Sequence, residues 1–231
     1  MNTGEMIDIC LDGLGAARQS DTRMTAKILT RLNMDYSTLC GMQNWRWLKA
    51  RTTIDFVAGD EFLVLPTTTR GGVTVRAVSR VIFVTLQDLG DPLEYLGEFN
   101  DLVERGGTLA LRGTGVPHSW CMSEGADGVT KAILLIPQPG YDDTATIYYL
   151  RSFASLKLIA NSDVPAFDEE YHAYLPNKTL AALTAADATY DPQVSAMYRN
   201  EAWTVYRAMM HTHVKAQPVF QARHWPGHGS L

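Results

Sequence analysis

The stretch GVPHSWCMSE, residues 115–124, brings His118, Ser119 and Cys121 close together. These residue types are the raw material of covalent catalysis. A serine or cysteine attacks a carbonyl and a histidine takes its proton. An orienting group and donors for the oxyanion must complete the site. Local geometry argues against that use. Side chains alternate along a strand, so Ser119 and Cys121 share one face while Trp120 and Met122 share the other. His118 then points away from Ser119. The expectation is a turn through Gly115 and Pro117 that feeds a strand, with Cys121 packed inward as a small apolar side chain.

Other residues with chemical potential fare no better. His211 and His213 are two apart and fall on different faces of a helix. His224 and His228 flank Pro226-Gly227, where helical zinc-ligand geometry is not expected. Asp142-Asp143 and Glu169-Glu170 sit where carboxylates form turns or face helix starts. GLGAAR and RGGVTVR match no phosphate-binding loop or dinucleotide fingerprint. No catalytic, metal-binding or cofactor-binding residue is expected, and no cofactor.

The elements that position these residues follow from hydrophobic periodicity. Residues 4 to about 17 place Ile7, Leu11 and Leu14 at helical spacing, with Thr3 as N-cap. A second helix begins after Asp21 and repeats Met24, Ile28, Leu32, Tyr36, Leu39 and Cys40 three or four apart, with Arg23, Lys27 and Arg31 on another face. Trp45 and Trp47 follow near its end. From Arg51 the pattern becomes β. TTIDFVAGDEFLVLP reads as two strands around a Gly59-Asp60 turn. GVTVRAVSRVIFVTLQ alternates over Val73, Val75 and Ala77. PLEYLGEFNDLVERGG reads as an irregular excursion with a short helix near Phe99 to Val103. HSWCMSE, TKAILLIPQP and TATIYYLRSF complete six or seven strands between residues 51 and 153. Helical pattern returns around Pro176, and most clearly from Asp191-Pro192 onward, where Tyr198, Ala202, Val205 and Met209 form a stripe. QPVFQARHWPGHGSL has no period and reads as an extended tail.

These patterns predict an α+β fold. Residues 1–50 and 154–216 form a helical bundle, 51–153 an inserted antiparallel β-sandwich or barrel-like domain, and 217–231 an extended C-terminal tail. A lone pair of N-terminal helices cannot bury its apolar faces, so it must pack on the C-terminal helices.

Composition sets outer bounds. The chain has 231 residues, 46% hydrophobic and 19% charged, with a formal net charge of -5. That is ordinary for a folded protein and argues against a sequence-wide grip on nucleic acid. Cys10, Cys40 and Cys121 are an odd number without a CxxC pair, which fits a reducing compartment. The N-terminus lacks the pattern of a signal peptide, and no apolar run approaches the ~20 residues needed to span a bilayer. A soluble intracellular product is expected.

The order of features resembles the head-to-tail adaptor (connector, head-completion) proteins of tailed bacteriophages. The matching elements are NWRWL closing the second helix, EFLVLP, GVPHSWCM, AILLIPQPG, TIYYLRSFASL and two C-terminal helices with a polar tail. They cover most of residues 21 to 210. Thr67 after Pro66, where an acidic residue is expected, and a long loop around 88–107 depart from the pattern. The resemblance implies a virion protein of the neck, assembled in the host cytoplasm. It docks as a ring, usually of twelve copies, between portal and tail and extends the DNA channel without binding a DNA sequence or a membrane. Partner contacts to the portal or a neighbouring subunit are then expected at Trp45, Trp47, Val219, Phe220, Arg223, His224 and Trp225. The tail aromatics would order on a portal groove, and repetition around the ring would multiply modest contacts. For NWRWL the simplest reading is core at the junction of bundle and β-domain. Three alternatives stand beside this one: another neck or tail-completion ring, a thiol or serine hydrolase centred on His118, Ser119 and Cys121, and a carbohydrate-binding β-module using Trp120 and Tyr148-Tyr149.

Overall fold

The computed structural model describes residues 1–15, 22–60, 62–100, 113–124 and 130–213. Helices occupy both ends of the described chain and strands lie between them, so the fold is α+β. Helix α1 spans Thr3–Gly13. Its cap is Asn2, one residue earlier than expected. The Asn2 side chain accepts from Glu5 N at 2.9 Å, and the Glu5 carboxylate accepts from Asn2 N at 2.7 Å, a reciprocal capping box. Thr3 is instead fully buried, its hydroxyl bonded to the Asp163 carbonyl. Helix α2 spans Thr22–Met42 and buries Ile28, Leu32, Tyr36 and Leu39 along the expected stripe. Its Asp21 cap lies outside the described residues.

A short α3, Phe153–Leu156, leads to α4 at Tyr174–Ala185 and α5 at Pro192–His213. Pro176 falls within the first turn of α4, where a missing N–H costs nothing. Asp191 Oδ1 accepts from Gln193 N at 2.8 Å and Pro192 opens α5, as its sequence requires. Helix α4 packs against α1, α2 and α5. Their apolar faces form one cluster that includes Met6, Cys10, Leu32, Tyr36, Leu175 and Met209.

Eleven strands lie between Lys49 and Arg151 among the described residues, more and shorter than expected. Strand β11 (Asp143–Arg151) is central to a sheet of order β1-β11-β5, with β1 at Lys49–Phe56 and β5 at Val78–Leu86, all antiparallel. A second sheet has the order β2-β9-β8-β6: Phe62–Val64, Lys131–Ile136, Ser119–Glu124 and Glu94–Glu98. Strands β3 (Thr67–Arg70) and β4 (Val73–Arg76) form a separate hairpin, and β7 (Thr114–Gly115) pairs with β10 (Gln138–Pro139). Residues from both larger sheets, among them Ile147, Val84, Leu63, Ile133 and Trp120, share one buried cluster.

Three expectations are corrected. Strands β1 and β2 flank the Gly59 turn but do not pair, because each joins a different sheet. Glu94–Glu98, read as irregular, is strand β6, and it runs parallel to β8, as β7 does to β10. The β region is therefore not wholly antiparallel. The helix expected near Phe99 to Val103 falls largely outside the described residues. No helix among the described residues is long and apolar enough to cross a membrane.

Candidate functional site

Strand β8 begins where the backbone of His118 joins two neighbours. His118 N donates to Ile136 O and Glu94 N donates to His118 O, both at 3.0 Å. The alternation then holds. Trp120 and Met122 enter the core shared by the sheets, while Cys121 packs with Leu134 and Ile136 on the opposite face, beside Leu96 and Phe99. One local expectation fails: His118 Nδ1 lies 2.8 Å from Ser119 Oγ. Alternation fixes the Cβ directions and leaves the side-chain rotations free to bring the ends of two neighbours together. Ser119 is only 1% exposed, so the bond satisfies a buried hydroxyl rather than presenting a nucleophile. Burial, with help from the Glu98 carboxylate, pushes the Cys121 thiol up to about 11. At neutral pH it is a protonated side chain without the thiolate that attack requires. Trp120 and Tyr149 are likewise buried, and Tyr148 stacks on Phe83 at 4.2 Å, so the proposed sugar platform is not assembled from them.

A cluster of aromatic rings lies where α2 gives way to β1. Trp45 precedes a 3-10 turn, Arg46–Leu48, which carries the chain from α2 into β1. Trp45 Nε1 donates to Leu39 O at 2.6 Å, and Trp45 and Trp47 stack with centroids 6.1 Å apart. Trp47 contacts Tyr36 and Phe167, and the Tyr36 hydroxyl accepts from Ala166 N at 2.9 Å. Arg151, the last residue of β11, donates to the Trp47 carbonyl. Trp45 is fully buried and Trp47 nearly so. Both indoles pack in the chain's own core, as the simplest reading of NWRWL expects. Val219, Phe220, Arg223, His224 and Trp225 lie outside the described residues.

Sequence reading passed over three further positions. Asp163 Oδ2 accepts from Ile159 N and Ala160 N at 2.7 and 2.9 Å, and Oδ1 pairs with Arg70 at 3.2 Å. Its carbonyl accepts from Thr3 N at 2.8 Å, so one residue ties α1 to the β3–β4 hairpin. His213, at the end of α5, is buried edge-on to Trp45 and Tyr171, with Nε2 3.4 Å from the Asp168 carboxylate. His211, two residues earlier, is exposed, as the different-faces argument requires. Arg151 is the third. A lone Asp, His or Arg between elements carries no periodic signal that would have flagged it. No group of three or more His, Cys, Asp or Glu side chains arranged to hold a metal is found among the described residues.

Ser119, Cys121 and His213 are thus absorbed in packing. Comparison with known families places the chain in the class of phage head-to-tail adaptors, structural proteins of the virion. It belongs to the family described as SU10 adaptor protein, which matches residues 1–223. No curated protein matches the chain.

Proposed function

We propose that the chain forms a ring that joins the portal to the tail and prolongs the channel through which the genome passes. The observation that carries this reading is the family match over residues 1–223, nearly the whole chain. In this reading residues 1–50 and 154–216 act as one helical bundle, 51–153 as an inserted β-domain in which the two larger sheets pack as a sandwich, and 217–231 as a portal-docking arm. Two separate apolar clusters support the division, one formed mainly by helices and one by strands. The junction at Trp45, Trp47 and Arg151 then holds the two parts in register.

A ring of identical subunits repeats one heterologous contact until rotation closes it, so a modest contact suffices. Twelve copies is the stoichiometry we adopt. The net charge of -5 suits a lumen that DNA must slide through, because strong phosphate contacts would hold it back. The chain contacts portal, neck or tail proteins and its own copies, and resides in the virion neck. The test is deletion of residues 217–231 followed by portal binding. Loss of binding with an intact fold supports portal docking through the arm. Retained binding favours a neck or tail-completion ring that meets the adaptor instead.

A further inference from the structure

A trough runs along the outward face of α2. One part, of about 950 Å³, lies between α2 and the β3–β4 hairpin, with Met34, Val73 and Ile159 exposed at its lip. A second part, of about 390 Å³, continues past Ser37 and Phe153, which line both, to Arg80 and Arg151. From Leu29 to Gly41 the helical wall is about 18 Å long. The charge of this trough is one-sided. Arg70, Arg80, Arg151 and Lys157 line it, and no lining residue is a carboxylate. Arg70 is answered by Asp163 from beside the trough. Arg151 is half-buried and donates to the Trp47 carbonyl, so Arg80 and Lys157 are the exposed cations of the trough. On a chain of net charge -5, a cationic trough with apolar lips asks for an acidic segment that also carries apolar side chains.

The same chain carries such a segment. Between Arg80 and Arg105 it has Asp88, Asp91, Glu94, Glu98, Asp101 and Glu104, with no lysine or arginine. Among the described ones, Asp88, Asp91, Glu94 and Glu98 are all exposed, together with Leu89 and Tyr95. Placement makes the match intermolecular. Strand β6, in the acidic segment, is one edge of the four-stranded sheet. Strand β2 is the opposite edge, about 14 Å away across three strand spacings, and the hairpin that walls the trough follows β2 directly. Asp88 and Asp91 themselves come just after the end of β5, whereas Arg80 lies near its start, about 20 Å back along the strand, and complementary charges held apart in this way on one subunit are what a head-to-tail contact requires.

We propose that the trough receives the Gln87–Glu98 segment of a second copy, so that Arg80 and Lys157 of one subunit meet the Asp88 and Asp91 carboxylates of the next. The inference rests on the ring reading above and names the surface that closes the ring.

Charge reversal tests it. One variant carries Arg80→Glu and Lys157→Glu, the other Asp88→Lys and Asp91→Lys, all at exposed positions. Rings are imaged on purified portal protein, with circular dichroism as the folding control. The wild type forms rings, each variant alone loses them, and a 1:1 mixture restores them, because every contact in an alternating ring is again between opposite charges. Rings formed by either variant alone overturn the inference while leaving the ring reading intact, and reduce the edge carboxylates to guards against aggregation. Loss that the mixture does not repair also overturns it, and points to a portal or another partner in the trough. Absence of rings from the wild type overturns the ring reading itself.

Discussion

Asn33, in the middle of α2, and Leu158, beyond the end of the β region, exchange two hydrogen bonds. Asn33 Nδ2 donates to Leu158 O at 2.8 Å and Asn33 Oδ1 accepts from Leu158 N at 2.9 Å. A side-chain amide thereby does for the chain what a strand neighbour would do, at a buried site 125 residues away in sequence. Replacing it leaves a buried N–H and a buried C=O without partners. Asn33→Ala is expected to cost about 2–6 kcal/mol, the sum of two such groups. Chemical denaturation measures this directly, and a loss under about 1 kcal/mol would show that water takes over both bonds.

Cys121 is expected to be inert. Its thiol is fully buried, and burial pushes its titration up to about 11; Cys10 is raised to about 12, first by burial and then by the Asp35 carboxylate. An alkylating probe at pH 7 should leave both unlabelled in the folded protein and label both after denaturation. Rapid labelling of native Cys121 would return the hydrolase reading to consideration.

Trp45 separates packing from docking. Trp45→Ala opens a cavity among Tyr206, Trp47 and His213, and large-to-small changes of this kind cost about 3–5 kcal/mol. The expected result is a lower melting temperature. A variant as stable as the wild type but deficient in assembly would instead place Trp45 at an interface.

Much of this was legible in the sequence, and the remainder was hidden for identifiable reasons. The α5 start was visible because Asp191 and Pro192 act within one turn. The opposite faces of Trp120 and Cys121 were visible because strand alternation is local. The partners of β1, β2 and β6 were not. Their pairing is set by which sheet face must be covered, a non-local matter on which a turn pair such as Gly59-Asp60 is silent. His118 and Ser119 were misread because alternation describes Cβ directions and not the ends of side chains. The tryptophans gave the reverse case. Aromatic residues serve cores and interfaces alike, and only the observed burial distinguishes the two.

Asp163 sets an acid limit. Burial alone would raise its carboxyl, but the N–H groups of Ile159 and Ala160 and the Arg70 guanidinium outweigh that and hold it below the usual range. The ionised form is thus favoured by the fold. Its contribution is complete above the ordinary carboxylate pKa and is lost as the pH falls through the depressed folded value. Asp163→Asn should be less stable than wild type by about 1–3 kcal/mol at neutral pH, with the gap closing below about pH 4. Unfolding curves across that range check it, and a gap independent of pH would assign the effect to shape rather than charge.

Ring formation between portal and tail is open to direct observation. Electron microscopy of the purified chain mixed with its phage's portal protein provides it. The expected image is a closed ring of this chain, coaxial with the portal and attached beneath it. A chain that stays unassembled and leaves the portal bare under the same conditions would contradict it.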